Sequence, residues 1–125
     1  MGATEKLLFE HIVNAQKVVS QHIIKTPVAY SKKLSEVVGE QIFIKLENQQ
    51  ITGSFKIRGA INAISNLTSE QKKAGVVALS TGNHGRGLAY AAKLMKIKCI
   101  ICMSELVPQN KIDGIKALGA KVRLI

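Results

Sequence analysis

The spacing of apolar and polar positions divides the chain into short elements. Leu8, Ile12, Ala15 and Val19 share one face of a helix predicted from about Thr4 to Ser20. Pro27 ends that region, and Ser31 is placed to cap a short helix through Val38, stopped by Gly39. "QIFIKLE", Gln41 to Glu47, alternates Ile42, Ile44 and Leu46 against Phe43, Lys45 and Glu47, as a strand does. Ile57, Ala60, Ile61 and Ile64 then recur at i, i+3, i+4 and i+7, the stripe of a helix packed on a core. Ser54 is its expected N-cap. "TSEQ", Thr68 to Gln71, fits a capping box.

From there the pattern becomes regular. A strand, Val76 to Ser80, meets the glycine-rich turn "TGNHGRG", and a helix follows with Leu88, Ala91, Ala92 and Met95 on its buried side. A second strand, Cys99 to Met103, leads to a helix started near Pro108 and stopped by Gly119. "KVRLI" is a third strand. Strand–helix–strand–helix–strand implies an α/β fold, with parallel strands joined by right-handed crossovers. Such strands need both faces covered. No helix follows the third, so the chain is expected to be part of a larger enzyme.

Composition narrows the class. The 125 residues suit one ordinary domain, and an apolar share of 46% is enough for a packed core. No apolar run approaches the ~18–20 residues of a membrane span. Acids inside the amphipathic N-terminus argue against a signal or transit peptide, so a cytoplasmic protein with no membrane partner is expected. His11 and His22 read as surface residues. Cys99 and Cys102 form C-x-x-C, but residues three apart on a strand point to opposite faces, so core thiols rather than a metal site are expected.

Lys and Arg number 18 against 8 acids, a net charge of +10. They are scattered as singles and pairs, such as Lys32-Lys33 and Lys72-Lys73. The five aromatics show no stacking pattern. Solvated helix faces therefore outweigh a nucleic-acid groove, and no nucleic-acid partner is expected.

Two stretches carry chemistry. Lys56 sits in the first turn of its helix beside Phe55, where the positive end of the dipole and an apolar neighbour favour loss of its proton. A neutral amine attacks aldehydes, the requirement for a Schiff base. "STGNHGRG", Ser80 to Gly87, joins a strand to a helix N-terminus, whose free amides attract anions. Gly82, Gly85 and Gly87 suggest close approach of the backbone to a ligand. The order G-x-x-G-x-G, with no acid ~20 residues on and no Gly-Lys-Ser/Thr, disfavours a dinucleotide or a nucleoside triphosphate. A carboxylate suits the turn, and Asn83 and His84 add polar side chains to it.

Together "KLENQQITGSFKIRGA" and "STGNHGRGLAYAA" resemble the fold-type II pyridoxal-phosphate enzymes, in the threonine/serine dehydratase and serine racemase branch. The resemblance runs from Thr26-Pro27 to "ALGAKV". It implies a tryptophan synthase β-like parallel three-layer α/β sheet, with residues 1–50 in a large domain and 51–125 beginning the small one. By the same likeness Lys56 bonds pyridoxal 5′-phosphate as a Schiff base and later moves the substrate's α-proton. Phe55 packs beside the ring and Asn83 bonds its 3-hydroxyl, while Ser80, Thr81, Gly82, Asn83 and His84 hold the substrate carboxylate. The implied activity is elimination and deamination of a threonine- or serine-like amino acid by an enzyme that is a homo-oligomer when full length.

Departures from the family pattern are few. Ile51 replaces a frequent proline. Thr81 stands where dehydratases often have Ala and racemases Ser, so a hydroxyl opposite the lysine keeps racemisation open. His84 argues against the cysteine synthase branch, and "CMSELVPQNKIDGIKALGAKVRL" looks closest to the dehydratase of hydroxyectoine use. The family's phosphate loop and its pyridine-nitrogen partner lie beyond residue 125, so the isolated chain is expected to be nearly inactive. A non-catalytic anion- or nucleic-acid-binding module is the alternative outside enzymes.

Overall fold

The computed structural model describes residues 7–125; Thr4 to Lys6, the expected start of the first helix, lie outside them. Helix α1 spans Phe9–Val19. Strands β1 (Val28–Tyr30) and β2 (Phe43–Lys45) pair antiparallel around α2 (Lys32–Val38), with Tyr30 opposite Phe43 and their rings 5.5 Å apart. Residues 28–30 carried no strand prediction, because three residues are too few to show alternation. Ser31 takes the cap position of α2 without a side-chain cap bond. Instead Ser35 Oγ accepts from the Ile42 amide (2.9 Å) and donates to the Ser31 carbonyl (2.7 Å), closing the hairpin around that helix.

A 3-10 turn (Glu47–Gln49) leads to α3 (Lys56–Ser65) and α4 (Ser69–Ala74). The predicted capping box forms: Thr68 Oγ1 accepts from the Gln71 amide and Gln71 Oε1 from the Thr68 amide. Then β3 (Val76–Leu79), α5 (Asn83–Leu94), β4 (Cys99–Met103), α6 (Gln109–Ala117) and β5 (Lys121–Leu124) alternate. The three strands are parallel in the order β3-β4-β5, the arrangement that the alternation of strands and helices required.

The core lies between α3, α5 and one face of this sheet. Ile57, Ala60, Ile61 and Ile64 are buried on α3, and Leu88, Ala91 and Ala92 on α5, as their spacing predicted. Cys99, Ile101 and Met103 meet them from β4. Each of the fully buried isoleucines contributes about 1.5–3 kcal/mol relative to exposure. Cys99 and Cys102 face opposite ways, Cys99 buried and Cys102 half-buried, and burial pushes the Cys99 thiol's pKa up. Among the described residues the other sheet face is uncovered: Val77 is 67% and Leu79 71% exposed.

One helix end departs from the usual chemistry. After α5, the Ile97 amide donates to the Ala92 carbonyl (2.8 Å) and the Lys96 amide to Lys93 (3.2 Å), the paired bonds of a Schellman ending. The left-handed residue there is Lys96, with φ 56°, whereas α6 uses Gly119, with φ 84°. A side chain in that region costs about 1–2 kcal/mol. Lys96→Gly is therefore expected to stabilise the fold by about 1 kcal/mol after the extra freedom of the unfolded glycine is counted. A thermal melt of the full-length variant with an unchanged or lowered midpoint would contradict this.

Candidate active site

The loop ahead of Lys56 is anchored by polar side chains that sit largely out of water. Gln50, 4% exposed, accepts from the Ile24 and Ile51 amides (3.0 and 3.1 Å) and donates to the Ile24 carbonyl (2.9 Å). Arg58, in the same first turn as Lys56, grips Glu47 with two parallel bonds: Nε to Oε2 at 2.8 Å and Nη2 to Oε1 at 2.7 Å. The Thr26 hydroxyl also donates to Glu47, and Lys45 Nζ donates to the Thr26 carbonyl at 3.0 Å. The Arg58 bond, the Thr26 bond and the nearby positive charges hold Glu47 at a pKa of about 2, against partial burial, which acts the other way. The first turn of α3 contains two cations and no acid. Glu47 supplies the missing countercharge from outside the helix.

Ser54 does not cap this helix. Gly53, at φ 75°, turns the chain so that Phe55 takes the cap position, and the Ser54 hydroxyl is buried without a partner among the described residues. Thr52 Oγ1 is a second buried orphan in the same loop. Lys56 is exposed, with Nζ 5.2 Å above the ring of Phe55, which is itself 58% exposed. An aromatic face attracts an ammonium at this distance.

The second motif builds a turn at the carboxyl end of β3. Ser80 Oγ accepts from the Gly85 amide at 2.9 Å and the Gly82 amide at 3.3 Å, so its hydroxyl shapes the turn from within. The amides of Asn83 and His84, which open α5, have no acceptor among the described residues. The side chains of Thr81, Asn83 and His84 are exposed at the same turn. Two of the three glycines serve packing rather than ligand approach. A Cβ on Gly85 would lie 3.2 Å from Ile101 Cγ2 of β4 and 3.3 Å from the Ser80 carbonyl oxygen. One on Gly87 would lie 3.1 Å from both the Ile57 nitrogen and the Lys56 carbonyl carbon. The Lys56 backbone therefore rests directly on α5, one turn beyond the free amides. Over Gly82 the space is open.

A cavity of about 230 Å³ borders this turn, between Thr81, Gly82, Asn83, Arg86, Lys111 and the buried Met103 and Ile115. Arg86 and Lys111 are cations that the motif reading passed over; only the topology brings α6 beside the turn. A larger cavity, about 780 Å³, lies between α1, Lys25, Lys45 and the Arg58–Asn62 side of α3. Neither Lys56 nor Asn83 lines it, so its size does not make it the site of the chemistry.

A model of the family described as pyridoxal-phosphate dependent enzyme matches residues 19–125. The chain belongs to that family. An L-threonine ammonia-lyase of Thermotoga maritima is 47% identical over 118 residues, 94% of this chain and 29% of its own length. The crystal structure of serine racemase from Dictyostelium discoideum superposes with a TM-score of 0.86 at 42% identity, covering 92% of this chain and 38% of that one. Threonine deaminase isoform 2 of Solanum lycopersicum gives 0.83 at 38% identity, covering 94% and 34%. The fold is thus that of the fold-type II enzymes, and the chain spans about a third of the length of these relatives.

The family's cofactor is pyridoxal phosphate, and the residues present suit it. Lys56 offers an exposed primary amine beside an exposed aromatic face, and Asn83 an exposed side chain without a hydrogen-bond partner among the described residues. Open space above Gly82 and two free amides leave room for a small anion beside them.

Two outcomes are expected of this arrangement. Glu47's folded pKa is depressed, so the stability from its pairing is complete above the ordinary value of 4.5 and is lost as pH falls toward about 2. Glu47→Gln should cost about 1.5–3 kcal/mol at neutral pH, the range for hydrogen bonds to charged groups. It should also flatten the acid limb of urea-unfolding midpoints; a limb as steep as the parent's would refute the pair's contribution. At Gly87, alanine gains about 1 kcal/mol of helix propensity against a few tenths of an ångström of displacement. Valine drives two further carbons into the Lys56 backbone. Gly87→Val should lower the full-length enzyme's turnover about 10²-fold, as displacements near 1 Å do, with Gly87→Ala much milder. Equal effects from the two variants would show that the close approach does not position Lys56.

Proposed function

We propose that the protein is a pyridoxal-phosphate-dependent lyase acting on a threonine- or serine-like amino acid by α,β-elimination and deamination. The observation that carries this reading is the seating of Lys56 on Gly87, which joins an exposed amine to a turn with free anion-binding amides. Relatives named as threonine ammonia-lyase and threonine deaminase support it. On this reading residues 1–50 belong to a large domain and 51–125 begin the small, substrate-side one. No helix among the described residues is long and apolar enough to cross a membrane, and we take the enzyme to be cytoplasmic and homo-oligomeric when complete.

Bound pyridoxal phosphate supplies the electron sink that makes the substrate's Cα–H bond acidic. Lys56 would hold that cofactor through Nζ, with Phe55 against the ring and the Asn83 side chain at its hydroxyl. Lys56 Nζ is also the base that would take the α-proton. The Asn83 and His84 amides would orient the substrate carboxylate, within the turn that Ser80 braces and beside the Thr81 hydroxyl. Gly82 leaves the approach unobstructed. A racemase is the second reading, favoured by the exposed Thr81 hydroxyl and by the likeness to the serine racemase structure at 42% identity.

In the full-length enzyme, Lys56→Ala should abolish the borohydride-trapped adduct with pyridoxal phosphate, read by mass spectrometry. It should also reduce keto-acid release from L-threonine or L-serine by at least about 10³-fold. Retention of both would refute the assignment. D-isomer formation without keto acid in the parent enzyme would favour the racemase.

A further inference from the structure

The basic residues look scattered along the chain, but the fold gathers many of them. In a parallel sheet every strand begins at one edge and every crossover helix ends there. Accordingly α4, α5 and α6 deliver Lys72, Lys73, Lys93 and Lys116 in their last turns to the edge where β3, β4 and β5 start. Lys96, Lys98 and Lys121 lie in the connections and at the strand start. Contacts join these segments into one surface. The Val76 amide donates to the Lys98 carbonyl at 2.8 Å, directly after α4, and Lys93 Cδ lies 3.9 Å from where a Gly119 Cβ would be.

Seven of the eighteen basic residues are on this edge, and segments 71–75, 93–99 and 116–122 contain no acid. The remainder of the chain is nearly balanced, with eleven basic residues against eight acids. Among the described residues none of the seven pairs with a carboxylate, and all but Lys72 are exposed. Favourable placement at helix C-termini accounts for Lys72, Lys73, Lys93 and Lys116. It does not account for Lys96, Lys98 or Lys121.

We propose that this edge, on the far side of the sheet from the Ser80–His84 turn, docks the phosphate backbone of a nucleic acid without regard to sequence. The ends of α5 and α6, which pack together, lie about 8–10 Å apart, and the α4 end joins them through the Val76–Lys98 bond, a strip suited to a linear polyanion. The edge segments contain neither arginine nor an aromatic residue. Lysine point charges can therefore hold phosphates, while nothing stacks on bases or forks to their edges. An anionic membrane is the weaker fit, because the largest exposed apolar side chain on the strip is Leu94, only 39% exposed. The expectation of no nucleic-acid partner rested on linear scatter and on the lack of aromatic stacking; the topology removes the first ground, and docking of a phosphate backbone does not need the second.

The full-length protein is titrated with a random-sequence duplex of about 24 base pairs, by fluorescence anisotropy, between about 50 and 200 mM salt. Binding should weaken with a logarithmic slope of up to about −6, and Lys98→Gln, Lys116→Gln and Lys121→Gln together should make it shallower by two to three. The single variants K98Q and K121Q, each at an exposed side chain, should each change it by about one, which guards against a misfolded triple. Lys32→Gln with Lys33→Gln, on α2, should leave it unchanged. No binding at the lowest salt, a slope indifferent to the edge variants, or binding to phosphatidylserine vesicles but not to duplex would each overturn the proposal.

Discussion

The contact between α3 and α5 governs the arrangement of everything else in the site. Helices ordinarily pack with axes 8–10 Å apart because side chains keep them separate. At Gly87 that separation is removed, and the Lys56–Ile57 backbone lies against the helix where a Cβ would be too close. The isoleucines that follow, at positions 57, 61 and 64, fill the rest of the α3 interface and are all buried. An amine and a turn with two free amides, some 25 residues apart in sequence, thus share one packed unit. Hydrophobic packing supplies the stability of that unit; one missing side chain supplies its register.

A second constraint acts from the opposite side of α3. A first turn bearing both Lys56 and Arg58 opposes the helix dipole twice. The bidentate pair with Glu47 compensates one of these charges, and Lys56 pairs with no carboxylate among the described residues. Because Glu47 also receives the Thr26 hydroxyl, a single carboxylate joins the segment before β1, the 3-10 turn and α3. Gln50 does similar work through neutral bonds to Ile24. The loop between Gln50 and Arg58 holds two buried hydroxyls without a partner among the described residues yet stays anchored at both ends.

How far the sequence could be read depended on the range of the interaction. The α3 stripe, the Thr68 capping box and the three parallel strands follow from local spacing, and each took its expected place. Ser54 failed as a cap because Gly53 redirected the chain, which composition around a helix start does not reveal. Gly85 and Gly87 were legible as close-approach residues, but what approaches them is protein, the Ile101 side chain at Gly85 and the Lys56–Ile57 backbone at Gly87, known only once β4 and α3 are in position. Glu47, Gln50 and Arg58 passed unnoticed for the same reason. The signal available was "ENQQ", a polar run between a strand and a buried helix, where polar groups withdrawn from water need partners. For Ser80 the residue was found but its hydrogen bonds were not: the hydroxyl faces inward to two amides.

The two edges of the parallel sheet show the same limit at larger scale. At the carboxyl edge the candidate site residues are consecutive, Ser80 to His84, so a motif exposes them. At the amino edge the lysines come from three separate connections and meet only because every crossover returns to the same side. Sequence adjacency therefore reports one edge and conceals the other. Open α/β sheets place ligand sites beyond their strands' carboxyl ends, which agrees with the position of the turn. The concentration of charge opposite it is a property of the topology as a whole, and counting basic residues along the chain could only dilute it.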